Sequence, residues 1–173
     1  RRVSMIEFWF KILLYVAPMY FANSFAMLLG GKTPLDFNKK FRDNQPIFGK
    51  GKTVRGTMLG TSIGFLVTII IFVFLNEQVM QFSNYLLLGF LLSIGAILGD
   101  IIASFFKRRN KIASGTPVLF LDQLDFVYGG MVLGSIVYVP NFFDVLVISV
   151  LTLFVHRLSN YFAFKTKLKK VPW

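Results

Sequence analysis

An all-α integral membrane protein is the fold class this sequence predicts, and three observations predict it. The chain is 55% hydrophobic and includes 21 Phe, with a mean hydropathy of +0.64. Charged residues make up 16%, where a soluble domain of ordinary composition carries about a quarter. Five segments reach the roughly 20 mostly apolar residues that a helical span requires. They cover 8–29, 56–75, 85–106, 118–139 and 142–164. With 173 residues, one transmembrane domain over 1–173 accounts for the whole sequence.

The first span contains Pro18 near its middle, which predicts a kink or a locally broken helix. It has no small-residue cleavage site ahead of a soluble domain, so it reads as a span and not a signal peptide. A connection of about 25 residues, 30–55, precedes the second span and is long enough to hold structure of its own, with Asp36 as an acid within it. The third and fourth spans are joined by the loop 107–117. Pro34, Pro46, Pro117, Pro140 and Pro172 lie at or beyond span ends, where a helix tolerates them.

The bases set the orientation. All Lys and Arg residues except Arg1, Arg2 and Lys11 fall in 32–55, 107–111 or 157–173, and the connections 76–84 and 140–141 contain none. With five spans those three regions share a side, and the positive-inside rule puts the N-terminus outside and the C-terminus in the cytoplasm. The net charge of +11 then reads as topology and attraction to anionic lipid, not as nucleic-acid binding. The chain has no Cys and a single His, His156, which excludes thiolate chemistry and makes a His-type zinc site improbable. His156 is a candidate general base, although a lone His near a membrane interface is more often a structural hydrogen-bonding residue.

Orientation also gathers the polar groups. Asp100 falls near the cytoplasmic end of the third span, Asp122 and Asp125 near the cytoplasmic start of the fourth, Asn23 and Ser24 at that end of the first, and His156 and Asn160 at that end of the fifth. Only Lys11 and Asp144 lie toward the outer ends. A conduction path would scatter such groups through the membrane depth, so the clustering predicts a shallow site facing the cytoplasm. Ionised groups within spans persist mainly where they pair, bind an ion or line a wet cavity.

Two constellations carry the chemistry. Asp122 and Asp125 are spaced i,i+3 and share a helix face, while Asp100, Ser104, Lys107 and Arg108 follow one face of the third span. Carboxylates on adjacent helices suit Mg²⁺, which prefers oxygen ligands and keeps positions for substrate phosphate. The plainer alternative makes these acids structural partners of Lys107, Arg108 or Arg109. The second constellation is FGKGKTVRG from Phe48 to Gly56, where Gly51 frees the backbone, Lys50, Lys52 and Arg55 supply charge, and Thr53 is placed to cap the next helix. It is not a P-loop, because Pro46 stands where that motif needs glycine. The stripes Gly56/Gly60/Gly64, Gly95/Gly99 and Gly130/Gly134 predict close helix packing, or contacts of a homodimer. The stretch 165–170 with Pro172 and Trp173 suits anionic headgroups and an interfacial anchor.

These residues resemble the phosphatidate cytidylyltransferases, whose signature is GD, then S-x-x-K-R, then D-x-x-D; here they are Gly99–Asp100, Ser104–Arg108 and Asp122–Asp125. The resemblance is closer to the archaeal branch of that family, the CDP-archaeol synthases, whose elements recur in order as PMYFAN (18–23), PLDF (34–37), GKGKTVRG (49–56), SFFKRR (104–109), LDQLDF (121–126) and a final PW. The segment between Arg108 and Asp122 is shorter than in the bacterial enzymes and lacks their paired glycines. Asn38 and Asn44 stand where the archaeal pattern often has glycine, which puts the local loop geometry in doubt.

The resemblance implies a reaction: CMP passes from CTP to an unsaturated ether-lipid phosphate, 2,3-bis-O-geranylgeranylglycerol 1-phosphate, giving CDP-archaeol and pyrophosphate in phospholipid biosynthesis. It further implies two Mg²⁺ ions on Asp100, Asp122 and Asp125, and a triphosphate held by Lys50, Gly51, Lys52, Thr53 and Arg55. Lys107 and Arg108 are expected on the lipid or leaving phosphate, with Ser104 beside them and Asn23 as a candidate for the base. A cell-membrane location follows, with the site facing the cytoplasm. A phosphatidate cytidylyltransferase acting on diacyl lipid is the alternative within this class, and a small cation transporter or channel the alternative outside it.

Overall fold

The computed structural model describes residues 4–165, apart from the side chains of residues 159, 160 and 162–164. The side chain of Asn160, the tail from 166, and Arg1 and Arg2 therefore lie outside what is described. Six helices follow one another: α1 (Met5–Leu28), α2 (Val54–Phe74), the single turn α3 (Asn76–Val79), α4 (Tyr85–Arg109), α5 (Leu121–Gly134) and α6 (Phe142–Lys165). No strand occurs among the described residues, only isolated bridges at Pro34–Thr53 and Lys40–Pro46.

The starts of α1, α2, α4 and α6 each have a local cause. Ser4 and Glu7 form a reciprocal capping box on α1, Thr53 caps α2, and Asn84 caps α4, each satisfying amide donors that the first turn leaves unpaired. Asn141 Oδ1 accepts from the Asp144 amide at the start of α6. Pro18 lies inside α1, which continues unbroken from Met5 to Leu28, so the predicted break does not occur.

Helices α1, α2 and α4 are long and apolar enough to cross a membrane. The fourth predicted span is helical only over Leu121–Gly134, 14 residues. That is about 21 Å of helix, short of the ~30 Å hydrocarbon thickness. The span's last residues, 135–139, are turn and extended chain; Val137 and Tyr138 pack on the core, whereas Ile136 and Val139 are exposed.

Helix α4 is central. It packs along α5 and touches α1 and α2, while α1 and α2 form an antiparallel pair. Small residues explain how closely they approach. A Cβ at Gly56, Gly60 or Gly64 would fall 2.6, 2.6 and 2.7 Å from the carbonyl oxygens of Ala26, Ala22 and Pro18 on α1. Between α4 and α5 a Cβ at Gly95 would meet Gly129 O at 2.5 Å, and one at Gly99 would meet Asp125 O at 2.2 Å. Gly130 lies against Met19 and Gly134 against Leu92. All three glycine stripes are thus used inside the chain, and none is left to mediate contact with a second copy.

The far end of the bundle is closed by aromatics. Val79 and Phe82 of the connection after α2 are buried; Phe82 packs on Tyr15, Tyr85 and Tyr138, and Tyr85 Oη donates to Leu14 O at 2.7 Å. Lys11 and Asp144, the groups expected near the outer ends, meet here, with Lys11 Nζ 2.7 Å from both carboxylate oxygens. This pair ties α6 to α1. Deeper along the same helix, Tyr20 donates to Thr152 Oγ1 at 2.8 Å and Tyr128 meets Ser149 at 3.0 Å.

Candidate active site

At the opposite end, the last turn of α4, the first turn of α5 and the Gly/Lys stretch before α2 converge. Lys52 Nζ lies 2.6 Å from both oxygens of Asp100, joining the two constellations that the sequence keeps 48 residues apart. Lys107 Nζ lies 2.8 and 2.7 Å from the oxygens of Asp122 and donates also to Thr116 O at 2.7 Å. The Val118 amide completes the shell of Asp122 at 2.8 Å. All three ammonium protons of Lys107 are thereby directed, and its side chain is almost wholly buried.

Asp125 takes no lysine. Its Oδ1 accepts from the Phe126 amide at 2.6 Å, and it lies close enough to Asp100, Asp122 and Lys52 to feel their charges. The crossing at Gly99 makes this possible, because backbone contact between Gly99 and Asp125 brings the neighbouring Asp100 toward the α5 acids. Still, no three acidic or imidazole groups stand close enough to form a ready metal cage among the described residues. In the structure each of Asp100 and Asp122 has a lysine counter-ion. The pairing alternative named for these acids therefore holds in part: Lys107 is one partner, but the other is Lys52, which spacing alone did not suggest.

The loop before α2 is held by two residues. Asp36 is buried and its carboxylate accepts from the amides of Asn38 (3.0 Å), Phe48 (2.9 Å) and Gly49 (3.0 Å). Burial pushes its pKa up, but the backbone hydrogen bonds outweigh burial and hold it below the usual carboxylate value. Thr53 is buried as well, with Oγ1 accepting from Gly31 N and Gly56 N, each at 3.1 Å. Its hydroxyl oxygen accepts as a cap and clamp, so Thr53 shapes the loop, while these bonds leave its O–H proton to donate. Asn38 and Asn44 have φ of 61° and 64°, a left-handed region where Asn substitutes for glycine at low cost; the loop geometry that they put in doubt is intact.

The remaining predicted residues sort by position. Lys50 and Gly51 are exposed beside the cluster. Arg108 is buried, donates to Ile112 O and packs under Gly49, while its Nε has no hydrogen-bond partner. Ser104 lies buried one turn between Asp100 and Arg108. Asn23 is half-buried on α1, one turn beyond Met19, which packs on Gly130. Arg55 points elsewhere: its stem packs on Gly31 and it lines a separate groove. Arg109, named above as a possible ion-pair partner of the three acids, instead sits over the Phe41 and Phe105 rings at 4.6 and 4.7 Å with Asp43 Oδ2 3.0 Å from its Nε. The Phe41…Phe105…Arg109 spacing held no periodic signal, because the contact crosses from loop to helix.

A helical membrane bundle with paired lysines and carboxylates at one end is an arrangement for phosphate chemistry, and comparison with known proteins places it. Residues 5–173 match the family model described as CarS-like: CDP-archaeol synthase. The CDP-archaeol synthase of Methanocaldococcus jannaschii is 39% identical over 171 residues, covering 95% of this chain and 97% of that protein. That of Pyrococcus horikoshii is 41% identical over 159 residues, covering 92% and 94%. A solved structure of an intramembrane enzyme for archaeal membrane lipids biosynthesis superposes with a TM-score of 0.78 at 26% identity, covering 86% of this chain and 91% of the other. The fold is that of an intramembrane enzyme of lipid biosynthesis, a cytidylyltransferase. The chain belongs to the CDP-archaeol synthase family.

Proposed function

We propose that the chain transfers CMP from CTP to 2,3-bis-O-geranylgeranylglycerol 1-phosphate, releasing pyrophosphate, at the cytoplasmic face of the cell membrane. The observation that carries this reading is the pair of lysine–carboxylate contacts, Lys52–Asp100 and Lys107–Asp122, formed by three separate elements at one end of the bundle. Five crossings put that end on the side of the basic loops, which the positive-inside rule assigns to the cytoplasm. The fourth crossing is α5 extended by the chain 135–140, which touches the core through Val137 and Tyr138.

In the reaction a phosphate oxygen of the lipid attacks the α-phosphorus of CTP, and the bond from that phosphorus to the β-phosphate bridging oxygen breaks. Such a displacement needs alignment and charge neutralisation more than a protein nucleophile, in keeping with a chain that has no Cys. Lys52, with exposed Lys50 beside it, is positioned to leave Asp100 for the triphosphate. Lys107 is positioned to exchange Asp122 for the lipid or leaving phosphate, and Arg108 supplies a fixed buried charge below Gly49. Asp36 and Thr53 hold the loop in shape.

Asp100, Asp122 and Asp125, on two helices in contact, carry the oxygen chemistry that Mg²⁺ takes, with phosphate oxygens left to complete the shell; the three do not form a cage while the lysines hold two of them, so they would hold the ion once those pairs open. When bound, the metal would neutralise charge on the triphosphate and the attacking phosphate. Release of Asp100 and Asp122 from their lysines would supply those carboxylates and free the ammonium groups in one exchange.

The test uses purified chain with labelled CTP, Mg²⁺ and lipid phosphate. Wild type forms CDP-lipid, Asp122→Asn abolishes it, and Lys52→Ala raises KM for CTP. If wild type forms none while mediating a cation flux that Asp122→Asn removes, the transporter reading replaces this one.

A further inference from the structure

A groove of about 650 Å³ opens between the chain after α1 and the first two turns of α2, apart from the lysine–carboxylate cluster. Its working residues are Lys32, Phe37, Val54, Arg55, Met58 and Leu59. The α2 members fall at i, i+1, i+4 and i+5, one side of a helix. Gly56, Gly60 and Gly64 mark a different side, the one that packs on α1. The groove therefore faces outward, at the base of a spanning helix, where bilayer lipid lies alongside.

Its charge is unbalanced. Lys11, Lys52, Lys107 and Arg109 all have carboxylate partners, whereas neither Lys32 nor Arg55 forms an ion pair among the described residues. The Arg55 stem is fixed against Gly31, where even a Cβ would come within 3.0 Å. The apolar part is equally open: Phe37 is 64% and Met58 66% exposed. Phe37 is also held at φ 50°, a costly conformation for an aromatic residue, by the turn that Asp36 ties down. Two cations above an exposed Phe and Met match an amphiphile with a doubly charged head. A phosphate monoester carries about −1.5 to −2 near neutrality, whereas a phosphodiester carries one charge.

We infer that this groove docks the phosphate-monoester headgroup of the lipid acceptor, with Lys32 and Arg55 on the phosphate and Phe37 and Met58 along the start of its chains. The inference rests on the cytidylyltransferase reading for the identity of the lipid. Arg55 is three residues from Lys52, across the Thr53 cap, so a headgroup held here lies on the helix that follows the loop carrying Lys52. Arg55 is then a lipid-binding residue, not a triphosphate ligand.

The experiment measures retention of lipid by the full chain in detergent by native mass spectrometry, alongside steady-state kinetics. The probes are a long-chain isoprenoid phosphate monoester, the matching phosphodiester and inorganic phosphate. The double variant Lys32→Ala/Arg55→Ala is expected to lose monoester retention and to raise KM for the lipid by about tenfold or more, with KM for CTP unchanged. Lys32→Arg/Arg55→Lys, which keeps both charges, is expected to restore binding. A rise confined to KM for CTP would return Arg55 to the triphosphate site and overturn the inference. Equal retention of the diester, equal competition by inorganic phosphate, or no change in any parameter would overturn it too. Wild type that holds the monoester through Lys32 and Arg55 but forms no CDP-lipid would support the groove while refuting the proposed reaction.

Discussion

Replacing Gly99 by Ala separates the role of the α4/α5 crossing in catalysis from its role in stability. The added methyl would lie 2.2 Å from Asp125 O and 2.9 Å from Gly129 Cα, against an ordinary contact of 3.4 Å or more. The obstacle is backbone on the facing helix, so no rotamer change relieves it, and the helices must part by about 1 Å locally. Overpacking of this kind costs about 1–3 kcal/mol. The larger effect falls on the site, because the same movement carries Asp125 away from Asp100; a misplacement of about 1 Å costs on the order of 100-fold in rate. Gly134→Ala is the control. Its methyl would meet Leu92 Cδ2 at 2.8 Å, the flexible end of a side chain on the same helix pair, farther from the carboxylates. Thermal unfolding in detergent should show both variants folded, with Gly99→Ala somewhat less stable, and CDP-lipid formation should fall about 100-fold in Gly99→Ala alone. A folded Gly99→Ala enzyme with activity within a few-fold of wild type would refute the claim that this crossing positions the acids.

Other perturbations read other contacts. Asp36→Asn keeps the shape but removes the charge that three amides bind, so it should cost about 1–3 kcal/mol and raise KM for CTP. Because the folded pKa of Asp36 is lowered, its contribution is present above the unfolded carboxylate value near ~4 and is lost as pH falls through the lower folded value. The stability gap between wild type and Asp36→Asn should therefore be constant at neutral pH and close only in acid. Lys11→Met leaves the buried Asp144 without its counter-ion and should destabilise by about 3–5 kcal/mol, whereas Lys11→Met/Asp144→Leu should recover most of that loss in a thermal-unfolding cycle, with activity retained. Thr53→Val removes the acceptor of two amides and should lower stability by about 1–2 kcal/mol. Thr53→Ser, which keeps the oxygen, should not, and a ligand role for that hydroxyl would instead show as a CTP-binding defect in the folded Val variant.

Much of this was legible because membrane spans leave coarse signals. Length and hydropathy located α1, α2 and α4 to within a few residues, and the confinement of bases placed Asp100, Asp122 and Lys52 at one end of the bundle. The shortness of α5 was not legible, since the sequence stays mostly apolar from Phe126 to Val139 and hydropathy does not distinguish helix from extended chain. The unbroken course of α1 through Pro18 was not legible either, because the carbonyl that Pro18 leaves without its helical partner, Leu14 O, is met by Tyr85 Oη from α4, a tertiary contact. The separation of Arg55 from Lys52 was not legible for a related reason. Its place in a run of bases beside Lys52 suggested a shared ligand, but a helix begins at Val54, and from there successive side chains diverge by about 100°. Lys52 lies before that helix and reaches α4, while Arg55 lies on it and faces out.

The pairing of the acids with lysines also answers how so much charge survives beside hydrocarbon. Breaking a buried pair by removing one member is costly because the survivor is left uncompensated; Asp100 and Asp122, 23% and 31% exposed, are compensated in the empty site by Lys52 and Lys107. Anionic substrate arriving with a cation changes both sides of this balance at once: the lysines gain phosphate oxygens and the carboxylates gain the cation, with no group left unpaired at the end. Removing a lysine should therefore injure the empty protein as well as the reaction, whereas conversion of Asp122 to Asn should leave Lys107 with Thr116 O and affect turnover more than folding. The contrast is measurable. Lys107→Met should lower the unfolding temperature of the substrate-free chain more than Asp122→Asn does, although both abolish CDP-lipid formation. If the two variants unfolded alike, the lysines would be substrate ligands only, and the pairs seen here would contribute nothing to holding the empty site together.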